Sequence, residues 1–126
     1  MKNLIIDAAN EKIFFSIITE TQSYTTTHTN SRENFDKFIN LLMNFLKKNH
    51  IKIDNVDNLF INQGPGKFSS LRISIVIAKA IALINNINLY GFTNNDLKKD
   101  KNGYEGILEM HKKGLLNKGL IDPIYT

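Results

Sequence analysis

Asn62-Gln63-Gly64-Pro65-Gly66-Lys67-Phe68-Ser69-Ser70-Leu71-Arg72 lies between an apolar run, Val56 to Ile61, and a long helix-like run, Ile73 to Ile84, so it reads as a strand-to-helix turn. Two glycines around a proline let the backbone turn sharply and approach another surface closely, because Gly tolerates φ > 0 and Pro fixes its own φ. Ser69 or Ser70 is then placed to cap the first turn of the helix. Such a stretch is either a tight βα turn without chemistry or a phosphate-facing loop, since free N–H groups and the helix dipole at a helix start favour an anion. A Walker A loop is excluded: Gly66-Lys67 is followed by Phe68 where that motif needs Ser or Thr, and the position five before Gly66 is Ile61.

Working outward, Lys2 to Asp7 is a short apolar strand ending in an acid, and Asp7-Ala8-Ala9-Asn10 turns it into a second strand, Glu11 to Thr19. Gln22 to His28, rich in Thr, reads as a half-exposed third strand, and three strands with short links predict an antiparallel meander. Ser31 to Asn49 is a helix: Ser31 is a candidate cap, and Phe35, Phe38, Ile39, Leu42, Phe45 and Leu46 recur at helical spacing. Leu41 and Met43 widen that apolar arc beyond one core face, which predicts a second buried contact. Asn58 to Asn62 is a fourth strand and Ser69 to Ile84 a second helix, in which from Ile73 onward only Ser74 and Lys79 are clearly polar. A helix apolar all round needs cover on more than one side, and in so small a domain part of it is expected from another chain.

Asn88 to Phe92 gives a fifth strand. Thr93 to Gly103, with Asn94, Asn95, Asp96, Lys98, Lys99, Asp100, Lys101 and Asn102, reads as a polar loop or mobile linker. A short amphipathic helix, Tyr104 to Lys113, precedes Gly114 and the closing Ile121-Asp122-Pro123-Ile124-Tyr125. The expected organisation is a lobe over residues 1–92, with 93–126 as linker, short helix and tail packing on it.

At 126 residues one domain is expected. The absence of Cys excludes disulfides, thiolate metal sites and cysteine nucleophiles. The start of the chain meets Asp7 too early for a signal-peptide core and no run reaches membrane-spanning length, so a soluble cytoplasmic protein without a membrane partner is expected. The net charge of +4 is carried by scattered Lys, with Arg32 and Arg72 the only arginines, which argues against a dedicated nucleic-acid stripe and against DNA as a partner. His28, His50 and His111 are far apart in sequence and read as surface or loop residues, so no metal site is expected.

The order of three strands, helix, strand, glycine turn, helix, strand is that of a single ribonuclease-H-like lobe, the half-unit of the actin, Hsp70 and sugar-kinase superfamily: an α/β fold with a mixed five-stranded sheet and helices. Gly64-Pro65-Gly66-Lys67-Phe68-Ser69-Ser70-Leu71-Arg72-Ile73-Ser74 resembles the Gly-Pro-Gly-Ser-Phe-Thr-Gly-Leu-Arg-Ile-Gly signature of the bacterial TsaB (YeaZ) family. Leu4-Ile5-Ile6-Asp7 is similar to that family's opening strand, and Asp122-Pro123-Ile124-Tyr125 to its closing Pro-Val-Tyr stretch. The family commonly has Thr-Ser-Thr where this chain has Ala8-Ala9-Asn10, and a second lobe of which nearly all is missing between the fifth strand and the terminal helix.

The resemblance implies a non-catalytic scaffold, required for threonylcarbamoyladenosine on tRNAs that read codons starting with A. Its helices would pair with the catalytic subunit TsaD, in an assembly that also uses the ATPase TsaE and meets tRNA through the complex. ATP and magnesium would enter at most through those partners, and alone the chain would form a homodimer. The implied contact surface is Phe38, Leu41, Leu42 and Phe45 on one helix with Ile73, Ile77, Ala80, Ile81 and Ile84 on the other; spacing alone leaves open which face the core. The candidate phosphate-loop residues are Asp7, Gly64, Gly66, Lys67, Ser69 and Arg72. The alternative function is a small nucleotide-dependent enzyme in which Asp7 and the Gly64–Gly66 loop hold phosphate and magnesium.

Overall fold

Three strands open the chain as an antiparallel meander: β1 (Asn3–Asp7), β2 (Lys12–Ile18) and β3 (Ser23–Thr29). The computed structural model describes residues 1–99, 102–118 and 121–125, apart from the side chain of Phe68. Next come α1 (Arg32–Asp36), α2 (Phe38–Lys48), a 3-10 turn, β4 (Asn58–Asn62), α3 (Phe68–Asn85), β5 (Asn88–Phe92), α4 (Asn94–Lys99), α5 (Tyr104–Lys112) and the two-residue β6 (Asn117–Lys118). The sheet order is β3-β2-β1-β4-β5-β6, with β4 parallel to both β1 and β5.

Both faces of this sheet are covered, which explains why β1 and β4 carry consecutive apolar residues where a one-sided strand would alternate. Leu4, Ile6, Phe15, Leu59 and Ile61 pack under α2 and α3, against Phe38, Leu42, Phe45, Leu71 and Ile75. Ile5, Phe60 and Phe92 point the other way and are covered by Ile107 of α5, with Leu97 of α4 beside them. Asn3, Asn58 and Asn88 stand side by side in register, and Asn58 Nδ2 donates to Asn3 Oδ1 at 3.0 Å. A one-residue slip would break that pairing and turn every apolar side chain to the wrong face.

Five expectations are corrected. The sheet has six strands: β6 is added antiparallel to β5 at Tyr90 and Gly91, and two residues are too short to carry an alternating pattern. The single helix expected over Ser31 to Asn49 is broken at Lys37, whose φ of −104° and ψ of 13° interrupt the run. Ser31 caps the first piece as anticipated, accepting from the Asn34 N–H at 3.3 Å. α3 starts at Phe68, so Ser69 and Ser70 fall inside its first turn and neither caps it; the N-cap is Lys67, which gives no side-chain bond.

The loop expected over Thr93 to Gly103 contains α4, while its positions 100 and 101 lie outside the described residues. Thr93 and Asp96 form a capping box: Thr93 N–H donates to Asp96 Oδ2 at 2.9 Å and Asp96 N–H to Thr93 Oγ1 at 3.2 Å. His111 is not a loop residue: it sits on α5 with its ring 4.4 Å from that of Tyr90 and 5.3 Å from that of Phe60. Burial, then the charges of Lys118 and Lys112, push its imidazole below the usual range. No described helix is long and apolar enough to cross a membrane.

Candidate functional site

The parallel strands β1, β4 and β5 all end on the side where the Gly64-Pro65-Gly66 loop begins, the place where open α/β sheets keep their ligand crevice. Asp7, the last residue of β1, is 1 % exposed. Its Oδ1 accepts from the Ala9 N–H at 3.1 Å and its Oδ2 from the Tyr104 hydroxyl at 2.7 Å. Tyr104 lies flat on Phe14, ring centroids 4.1 Å apart and planes within 10°. Burial first, then the Asp7 charge and the hydrogen bond to it, drive the Tyr104 phenol far above its usual range, so it stays a donor. The carboxylate that could have held a metal or phosphate is thus engaged by the chain itself.

We expect Tyr104→Phe to leave one oxygen of a buried carboxylate unpaired and to cost about 1–3 kcal/mol of stability in thermal or urea unfolding. A variant as stable as the parent would show that this bond is not formed.

The loop is equally committed. The peptide between Gly64 and Pro65 is cis and Gly64 has φ of +105°. The Gly64 N–H donates to Asn62 Oδ1 at 2.8 Å, and the Gly66 N–H donates to the Ile124 carbonyl at 3.2 Å. The tail returns the contact: Ile124 N–H donates to the Gln63 carbonyl at 2.8 Å, and Gln63 Nε2 donates to the Asp122 carbonyl at 2.9 Å. A Cβ on Gly66 would stand 2.6 Å from the Ala9 carbonyl oxygen, so the glycine is there for close approach to the β1–β2 turn.

Asn94, placed by the start of α4, ties these pieces together. Its backbone N–H donates to the Gly64 carbonyl at 2.9 Å and its Nδ2 to the Pro65 carbonyl at 2.8 Å. Its Oδ1 accepts from Asn62 Nδ2 at 2.9 Å and from Asn10 Nδ2 at 3.1 Å. Asn10, Asn94 and Tyr104 are the site residues that sequence reasoning missed as such. The Thr93-x-x-Asp96 spacing was the available signal for the helix that positions Asn94.

The other phosphate-loop candidates are scattered. Lys67 shares one concavity of about 660 Å³ with Asp7, Glu11, Lys12 and Tyr104. It also borders a second, of about 560 Å³, that holds Ser69 and Ser70. Gly64 and Gly66 are buried, and Arg72 is exposed on α3.

Among the expected contact residues, Phe38, Leu42 and Phe45 are core, packed on the sheet. Leu41, Ile77 and Ile81 are half-buried at the edge of that core. Ile73, Ala80 and Ile84 are exposed. Val76 and Leu83, which were not singled out, extend the same outer stripe; Val76 is 56 %, Leu83 84 % and Ile84 79 % exposed. The helix is covered on one side and bare and apolar on the other.

Residues 12–96 match a family model described as TsaD: tRNA N6-adenosine threonylcarbamoyltransferase. A curated relative, the tRNA threonylcarbamoyladenosine biosynthesis protein TsaB of Buchnera aphidicola, is 29 % identical over 70 residues, 48 % of this chain and 32 % of that protein. Among solved structures, YeaZ from Pseudomonas aeruginosa aligns with a TM-score of 0.68 at 19 % identity, over 76 % of this chain and 44 % of that one. The RuvC of T. thermophilus, solved with a Holliday junction substrate, aligns with a TM-score of 0.53 at 10 % identity, over 91 % of this chain and 78 % of that one. At such identities the structural likenesses speak for the fold alone, which is ribonuclease-H-like. This chain spans less than half the length of the TsaB and YeaZ proteins it matches. The family model covers well over half of the chain, and the protein therefore belongs to the TsaD family as a TsaB/YeaZ-like member.

Proposed function

We propose that this protein is a non-catalytic scaffold subunit for threonylcarbamoyladenosine modification of tRNAs that read codons starting with A. In this reading it works by docking α3, with the adjoining edge of α2, onto a TsaD-like catalytic subunit. A TsaE-like ATPase completes the assembly, tRNA is met through the complex, and any ATP or magnesium belongs to the partners. The chain resides in the cytoplasm and pairs with itself through the same helix when the partner is absent.

The observation that carries this reading is the apolar outer stripe of α3, where Ile73, Val76, Ala80, Leu83 and Ile84 recur on one face and are all exposed. A solvated helix would place charge or amide there, and Lys79 is the only charged residue between Ile73 and Asn85. The internal pairing of Asp7 with Ala9 and Tyr104 also supports a role without chemistry of its own.

The test is co-purification with a TsaD-like subunit. The parent chain should form a complex of defined stoichiometry, and Leu83→Asp should abolish it while leaving the circular-dichroism spectrum unchanged. A folded Leu83→Asp chain that still binds as tightly as the parent would refute α3 as the docking face. Tight ATP-magnesium binding lost on Asp7→Ala would instead favour the enzymatic alternative.

A further inference from the structure

We propose that the outer edge of β3 is a contact between two copies of this chain, separate from the docking helix and formed by antiparallel pairing of the strand with itself. β3 is the long free edge of the sheet, seven residues with no strand on its outer side among the described residues. Before it the Thr19 N–H donates to the Gln22 carbonyl at 2.8 Å, and after it the Asn30 N–H donates to the Glu11 carbonyl at 2.9 Å. Antiparallel ladders alternate, so in this register Tyr24, Thr26 and His28 exchange bonds with β2, while Ser23, Thr25, Thr27 and Thr29 turn theirs outward. The Thr29 carbonyl is taken by the Ser31 N–H at 2.9 Å and by Asn34 Nδ2 at 2.8 Å. The N–H and carbonyl of Thr25 and of Thr27 stay open among the described residues.

Sheet edges are normally blunted by charge, proline, a bulge or shortness. The opposite edge follows that rule, since β6 has two residues and one of them is Lys118. β3 does not: its register with β2 runs without a bulge, and residues 22–30 contain no Asp, Glu, Lys, Arg or Pro. Copies of a chain with net charge +4 repel one another, and this edge lets two meet without opposing like charges. Self-complementarity selects a second copy as the occupant. A twofold axis through Thr26 sets Thr25 of each copy against Thr27 of the other, so every open N–H meets an open carbonyl. On the α2 side it sets Tyr24 against His28, and Thr26 against its own counterpart. The flanking concavity of about 480 Å³ is bordered by Leu41, Asn44 and Lys48 of α2, and Lys48 is its one formal charge among the described residues. α3 packs on β1, β4 and β5, away from this edge. Seven residues a side fall short of the ~20–30 of a standard interface, so the pair is a transient one.

The test uses the Leu83→Asp chain, whose α3 face is blocked, so that a failure here is distinguishable from a failure of the α3 reading. Analytical ultracentrifugation should find a reversible dimer by roughly 1 mM chain. Over the same rise in concentration, hydrogen exchange at the Thr25 and Thr27 amides should slow about twofold or more, while the already paired Tyr24, Thr26 and His28 amides change little. Thr27→Pro removes an outward donor and spares the inner ladder, and it should abolish the dimer. Thr26→Lys and Thr26→Glu should each be monomeric and should pair when mixed, because the axis sets position 26 against itself. A Leu83→Asp chain still monomeric at roughly 1 mM, a dimer that survives Thr27→Pro, or a Lys–Glu mixture that stays monomeric would each overturn the assignment. A monomeric chain whose Thr25 and Thr27 amides are protected by an added Val-Glu repeat peptide would also overturn it, in favour of a strand from another protein.

Discussion

Gly66→Ala lowers the thermal midpoint by on the order of 10–15 °C, the expected consequence of about 3 kcal/mol lost from a domain of this size. The added methyl would lie 2.6 Å from the Ala9 carbonyl oxygen and 2.9 Å from Ala9 Cα. Both are backbone atoms of the β1–β2 turn, which Asp7 holds through the Ala9 N–H and Asn30 holds by donating to the Ala8 carbonyl at 3.1 Å. Nothing there gives way as a flexible side chain would, so the loop must move and strain its bonds to the tail. Gly103→Ala is the comparison. That glycine, unlike Gly66, has a positive φ, +59°, but a Cβ there meets nothing within 4 Å, so the cost is backbone strain alone, about 1–2 kcal/mol. Equal midpoints for the two variants, measured by circular dichroism, would show that the Gly-Pro-Gly loop is not packed on the first turn.

Phe45→Asp abolishes cooperative unfolding, whereas Val76→Asp leaves the midpoint within a few degrees of the parent. The two substitutions place the same charge on neighbouring helices of the same face of the sheet. Phe45 is 6 % exposed and its ring lies 6.1 Å from that of Phe15 in the centre of the core. Losing a buried Phe costs about 3–5 kcal/mol, and the unpaired carboxylate adds a desolvation penalty of several more, together comparable with the whole stability of a small domain. Val76 faces solvent in the isolated chain, so the same carboxylate remains hydrated and the expected change is roughly 0.5 kcal/mol. Phe45→Asp therefore cannot probe a partner surface, since it would remove the fold that presents it. A Val76→Asp chain as unstable as Phe45→Asp would show that α3 is enclosed on its outer side too.

The contrast between those helices marks where sequence reading ran out. Both carry more apolar residues than one core face needs, and both looked like docking helices. On α2 the excess is shallow: Leu41 and Met43 fold back against the core edge, leaving Ile39 as its one large exposed apolar side chain. On α3 the apolar residues run round the whole circumference, and one sheet face can bury only half a helix. Spacing defines an arc but not which part of it meets the sheet, because that depends on how the helix is rotated by packing.

The elements of the lobe were legible because their signals are local: alternating or continuous apolar runs for the strands, helical spacing for α2 and α3, Gly and Pro for the turn between β4 and α3. What occupies the strand ends was not legible, because the contacts there join residues far apart in the chain. Tyr104 reaches Asp7 across 97 positions, and Asn94 reaches Asn10 across 84. By itself the sequence determined that Asp7 closes a strand and that a glycine turn starts a helix. Only the tertiary structure decided that the acid is held by a tyrosine, that the turn's donors go to Asn62 and to the tail, and that one helix keeps an apolar face bare. Hydrogen bonds and burial of that kind depend on which distant segments meet, and the energy of meeting is not carried by either segment alone.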